Sequence, residues 1–173
     1  MKKIMFFLLF VIPICGFTQN LTSQEILGLA NKQTVEGITT LLQNKGYYLD
    51  TKNKFKGQYY GTDEVIYLVY CFNCDYYELY DKQNLSYDGS FTCVTIYYNI
   101  TKSKIEDISV WFSNRNTFLQ LRKILANYGY KYIGEDLTSS EEGIIYKYKN
   151  PSKKISINVK EKTDGDFIAY IIK

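Results

Sequence analysis

Apolar side chains at Val35, Ile38, Leu41 and Leu42 stand three and four positions apart, a spacing that lays them along one stripe of an α-helix. The same stripe returns 83 positions later as Phe118, Leu121, Ile124 and Leu125. Thr34/Thr117, Leu42/Leu125, Asn44/Asn127, Gly46/Gly129 and Tyr47/Tyr130 are identical across the two copies. Each copy ends on a glycine, the residue that turns left-handed past a helix end without a Cβ penalty. An aromatic segment follows at once. The pattern predicts a helix over Thr34–Lys45, a second behind the capping stretch Ser113-Asn114-Arg115-Asn116, and a sheet after each.

Ahead of the first helix, Thr22-Ser23-Gln24-Glu25 has the spacing of a capping box, and Ile26, Leu27, Leu29 and Ala30 make a short helix behind it. After Gly46 the period changes from 3.6 to 2. Tyr47–Leu49 reads as a short strand and the lysine-rich Thr51–Lys56 as a loop. Glu64–Phe72 is apolar on both faces and predicts a central strand. Ser90–Ile100 sets Phe91, Cys93, Thr95 and Tyr97 against Val94, Ile96 and Tyr98, and Lys102-Ser103-Lys104 turns the chain into Ile105–Phe112, which holds the sole tryptophan, Trp111. The second copy continues with a strand at Tyr130–Gly134, a loop at Leu137–Glu142 and a strand at Gly143–Lys149. Asn150-Pro151-Ser152 is a turn, Lys154–Lys162 alternates with Ile155, Ile157 and Val159 inward, and Asp164-Gly165 is a tight turn into Phe167–Ile172.

The predicted fold class is therefore α+β: two pseudo-repeats, each a helix packed on a three- or four-stranded antiparallel sheet, preceded by a short N-terminal helix. Residues 19–113 form the first unit and 114–173 the second, within one compact domain. The two sheets join edge to edge or pack around a shared core. The first unit carries an extra stretch, Asn73–Gly89, that the second lacks, and loop elaborations on a repeated scaffold are common seats of function.

Residues 1–18 read as a signal peptide: basic Lys2 and Lys3, the apolar run Ile4–Ile14, and Gly16-Phe17-Thr18 before a cleavage point at Gln19. Cys15 raises the lipoprotein alternative, which Pro13 and Ile14 argue against, because a small residue normally precedes a lipidated cysteine. Removing 18 of 173 residues leaves 155, with 19 basic against 18 acidic side chains. That balance gives no positive footprint for nucleic acid, and no later segment is long and apolar enough to span a bilayer. The expected location is periplasmic or extracellular. The 18 tyrosines follow from an AT-rich codon bias, or form a sugar-stacking surface.

The chain has no histidine, which removes Ser-His-Asp and Cys-His nucleophiles and imidazole zinc sites. Cys71-Phe72-Asn73-Cys74 matches Cys-x-x-Cys, but it follows a strand and lacks the helix N-terminus that lowers a redox thiol's pKa. A structural disulfide suits an exported protein better. If Asp81–Ser86 is the hairpin tip, Cys74 faces Cys93; if Asp88-Gly89 makes the turn, Cys93 faces Asn84. The favoured pair is Cys74–Cys93, leaving Cys71 as a buried strand residue. Adjacent carboxylates at Asp63-Glu64, Glu106-Asp107, Glu135-Asp136 and Glu141-Glu142 point to opposite faces of a strand and read as solvated turns. No metal site and no cofactor are expected.

The leader ending Phe-Thr-Gln-Asn and the repeated helix, Lys-Gly-Tyr-Tyr, sheet pattern resemble small exported proteins of AT-rich Gram-negative bacteria. The tandem helix-and-sheet order is similar to the β-lactamase inhibitory protein architecture, and the opening helix pair to outer-membrane assembly lipoproteins of the BamE type. Those resemblances imply a layout and no binding residue. The expected function is a non-enzymatic exported binding module for a protein or envelope component, with Tyr76, Tyr77, Tyr80, Tyr87 and Trp111 as candidate contacts. The alternatives are a thiol–disulfide or other small periplasmic enzyme using Cys71 and Cys74 or the acidic loops, and a carbohydrate surface built on Tyr59, Tyr60, Tyr76 and Tyr77.

Overall fold

A computed structural model describes residues 20–55, 63–74, 91–137 and 143–173. The expected leader, 1–18, lies outside them. Helix α1 spans Ser23–Leu29 and α2 spans Val35–Asn44; strands β1 (Tyr48–Phe55), β2 (Val65–Phe72), β3 (Thr92–Asn99) and β4 (Lys104–Phe112) follow. Helix α3 (Arg115–Leu125) runs into a 3-10 turn at Ala126–Tyr128, and β5 (Lys131–Asp136), β6 (Ile144–Asn150), β7 (Ile155–Glu161) and β8 (Phe167–Ile172) complete the described elements.

The helix ends are set as their sequences dictate. Thr22 caps α1 with the full reciprocal box: its hydroxyl accepts from the Glu25 amide, and the Glu25 carboxylate accepts from the Thr22 amide. Burial pushes the Glu25 carboxyl up, but the Thr22 amide and Lys45 at 2.9 Å outweigh it and hold the group below its ordinary value. Thr34 caps α2 through the Gly37 amide, and Asn114 caps α3 through the Thr117 amide. Gly46 and Gly129 both adopt positive φ, 83° and 80°, and the amides of Tyr47 and Tyr130 that follow return to the carbonyls of Leu42 and Leu125.

All eight described strands belong to one antiparallel sheet in the order β1-β2-β3-β4-β8-β7-β6-β5. Of the two expected arrangements the sheets take the edge-to-edge one and form a single layer, closed by β8 pairing with β4 from Asp107↔Ile172 to Phe112↔Phe167. The segment expected as a loop at Thr51–Lys56 instead continues β1 to Phe55, paired with β2 past a bulge at Asp50. Lys52 is the kind of residue an edge strand uses to resist pairing with another chain, so its polarity marks an edge and not a loop, and Lys56 lies outside the described residues. Strand β5 likewise runs two residues beyond its predicted end and forms the other edge, with a bulge at Ile133.

The three described helices share one core with one face of the sheet. Ile26, Leu27, Leu29, Ile38, Leu42, Phe118, Leu121 and Leu125 are buried against Leu68, Tyr70, Val94, Ile96, Ile108, Val110, Ile157, Val159, Phe167 and Ile171. Helix α2 sits over the first half of the sheet, where Thr39 and Tyr70 share a 2.7 Å hydrogen bond. Helix α3 sits over the second: the Phe118 ring stacks on Phe167 at 4.5 Å, and Arg122 lies 3.5 Å from the Tyr146 ring and donates to the Tyr148 hydroxyl. Helix α1 docks on α3 through Ser23, whose hydroxyl donates to the Thr117 carbonyl. No described helix is long and apolar enough to cross a membrane.

Candidate functional site

The register carries three rows of side chains across the face of the sheet opposite the helices. One runs Tyr67, Tyr97, Asp107, Ile172, Ser156, Lys149; the next Val69, Thr95, Ser109, Tyr170, Asn158, Lys147; the third Cys71, Cys93, Trp111, Ile168, Lys160, Ile145. Among the described residues no helix side chain joins the cluster on this face, which consists of Val69, Cys71, Cys74, Phe91 and Cys93 with Tyr67 and Trp111 against it. The half of the face built by β2, β3 and β4 is aromatic and sulfur-rich. The half built by β8, β7 and β6 carries Lys147, Lys149 and Lys160 among Ile145, Ile168, Ile172 and Tyr170.

Trp111 stands at the join between the halves. Its indole N–H donates to the Asp166 carboxylate at 3.0 Å, Lys162 Nζ lies 4.4 Å from the ring centroid, and Phe91 meets the ring edge-on at 6.0 Å. Asp166 and Lys162 come from the β7–β8 turn, in which Gly165 takes φ 92° as the predicted Asp164-Gly165 hairpin requires. Burial pushes the Asp166 carboxyl above its ordinary value; the Trp111 bond and Lys162 lower it in part, and Asp164 raises it further. An acid whose folded pKa is raised contributes stability below its unfolded pKa and loses that contribution as pH rises through the folded value. Emission from the sole tryptophan should therefore titrate with a midpoint above the ordinary aspartate value of 3.8, and Asp166→Asn should flatten the curve. An unchanged curve in the variant would disprove the assignment.

The cysteines are brought together, though not in the expected pairing. Cys71 and Cys93 lie directly opposite in the β2–β3 ladder with their sulfurs 4.0 Å apart, and the Cys74 thiol donates to the Thr92 carbonyl at 3.6 Å. All three are buried and none is in a disulfide. The register that would set Cys74 against Cys93 is displaced by three residues, an odd number that would turn one strand's apolar side chains off the helix face. Thiol neighbours Cys74 and Cys93, together with burial, push Cys71 up. Its bond to Cys71 lowers Cys93, but Cys74 and burial prevail and raise it. Among the described residues no group of three or more His, Cys, Asp or Glu side chains is arranged to hold a metal ion.

No family model matches the chain. No curated protein and no solved structure matches it significantly either.

Tyr59, Tyr60, Tyr76, Tyr77, Tyr80 and Tyr87 lie outside the described residues. Of the expected contacts, Trp111 is the one the structure places. Sequence reasoning missed its partners, Phe91 and the Asp166–Lys162 turn, and the Tyr67–Tyr97 pair two rows away with rings 6.4 Å apart. It also treated the carboxylate pairs as isolated. Asp63 and Glu106, one from each of two pairs, both accept from Asn99 Nδ2 at 3.0 Å and both face Lys102. Asn99 is fully buried and accepts the Lys102 amide, so this cluster braces the β3–β4 turn and its charges are matched by Lys102 and Lys104.

Proposed function

We propose that this protein is an exported, non-enzymatic binding module that takes a protein partner on the face of the sheet opposite the described helices, with Trp111 as the central anchor. The observation that carries the reading is the gradation along that face: aromatic rings at Tyr67, Tyr97 and Trp111, then Tyr170 beside Lys149, Lys160 and a Lys147 that pairs with Asp136 at 3.0 Å. Large amphipathic rings beside a charged field are the composition of protein-binding surfaces, and the lysines suit acidic groups on the partner. A polypeptide is favoured over a sugar because Lys162 already occupies space over the Trp111 ring, which a stacked pyranose would need. The raised thiols at Cys71 and Cys93 favour binding over thiol–disulfide catalysis, which needs a lowered pKa. Behind the face we infer a duplicated unit, supported by the order of one helix and four strands that occurs twice among the described residues, α2 with β1–β4 and α3 with β5–β8.

Affinity capture from a native envelope extract, followed by Kd measurement on the recovered protein, tests this. Trp111→Ala should weaken binding tenfold or more, the scale of a hot-spot aromatic. Leu119→Ala on the outer surface of α3 should leave the Kd unchanged. Equal affinity for wild type and Trp111→Ala would overturn the proposal.

A further inference from the structure

We propose that Cys71 and Cys93 are the disulfide-forming pair of this protein and that Cys74 is left as the third, reduced thiol; the inference is independent of the binding reading. The ladder itself makes the argument. Every β2–β3 partner pair has the same offset, and in an antiparallel ladder hydrogen-bonded and non-hydrogen-bonded pairs alternate. The Ile100 amide donates to the Glu64 carbonyl just beyond the strand ends, in the same offset, so that position is hydrogen-bonded. Counting back seven pairs, an odd number, makes Cys71↔Cys93 a non-hydrogen-bonded pair. At such sites Cα atoms stand about 4.5 Å apart and side chains converge, within the span a disulfide bridges. The sulfurs already lie 4.0 Å apart, and closing them needs side-chain rotation without moving either strand.

Cys74 neighbours both sulfurs but stands outside the ladder that aligns them. It lies past the end of β2, after Asn73 at φ 55°, and its thiol donates to the Thr92 carbonyl. Oxidation requires a small organic disulfide or an envelope dithiol oxidase as acceptor. One thiolate of the pair attacks a sulfur of the acceptor and expels its first thiolate; the second cysteine then attacks the mixed disulfide and expels the other. Two cysteine thiols give up two protons and two electrons, one S–S bond forms in the protein and one breaks in the acceptor. Cys71 and Cys93 are buried, 0 % and 2 % exposed, so the bond is made while the strands assemble. It joins the two ends of a segment that includes the whole Asn73–Gly89 insertion.

The test is to reduce and unfold the protein, refold it in a glutathione buffer containing oxidised glutathione, block remaining thiols and map the peptides without reduction. The expected product is a Cys71–Cys93 linked peptide in the wild type and in Cys74→Ser alike, with Cys74 alkylated after unfolding in the wild type. The oxidised protein should melt on the order of 5–10 °C above its reduced form. A dominant Cys74–Cys93 or Cys71–Cys74 linkage, three free thiols in the oxidising buffer, or loss of the crosslink in Cys74→Ser would each overturn the assignment.

Discussion

Phe118→Ala is expected to lower the free energy of unfolding by about 3–5 kcal/mol, measured as a shift of the urea midpoint at constant slope. Phe118 is 1 % exposed, stacks on Phe167 at 4.5 Å, meets the Tyr146 ring at 6.1 Å, and has the Arg122 guanidinium 5.4 Å from its ring. Removing the ring deletes apolar burial, leaves a cavity between α3 and the sheet, and takes away stacking worth roughly 0.5–1.5 kcal/mol beyond area alone. Against a typical total of about 5–15 kcal/mol that is a large fraction. Leu119, next in sequence but 47 % exposed, is the control: Leu119→Ala should stay within about 0.5 kcal/mol. A Phe118→Ala cost below about 1.5 kcal/mol would mean that α3 does not pack on the second half of the sheet as described.

Gly143→Ala should be of similar severity for a different reason. Gly143 enters β6 at φ 105°, and a Cβ built there would lie 1.9 Å from the Glu161 carbonyl oxygen on the neighbouring strand. The left-handed backbone alone costs a non-glycine residue about 1–2 kcal/mol. The collision adds an overpacking cost of about 1–3 kcal/mol, because the obstructing atom is backbone and cannot rotate away. Gly165 separates the two terms: it has φ 92° but nothing within 4 Å of the added Cβ. Gly165→Ala should therefore show the smaller, conformational cost alone. Equal destabilisation by the two substitutions in thermal or urea unfolding would remove the close approach of Gly143 to β7.

What the sequence made legible was what local chemistry decides. The stripe Phe118, Leu121, Leu125 fixes the buried side of α3, Thr22 and Glu25 announce the start of α1, and alternation along Ile155, Ile157 and Val159 assigns the faces of β7. What it concealed was set by distant pairing. Lys52 in β1 reads as loop because an edge strand is decorated against aggregation by the same residues that populate loops. The cysteine register turned on which residues formed the hairpin tip, and both tips considered displace the ladder by an odd number of residues, which is ruled out only when the apolar side chains of β2 and β3 are matched on one face. Trp111 was visible as a candidate, yet the bond to Asp166 joins residues 55 positions apart and only the β4–β8 pairing brings them together.

That pairing also orders events in time. Strand β8 emerges from synthesis after every other described strand, but its place is in the middle of the sheet, between β4 and β7. Until it arrives, two meanders stand with bare backbone at the seam, β4 offering one ragged border and β7 the other. Assembly of this protein consequently finishes at its centre, and the nascent chain must be kept from borrowing a substitute strand during that interval.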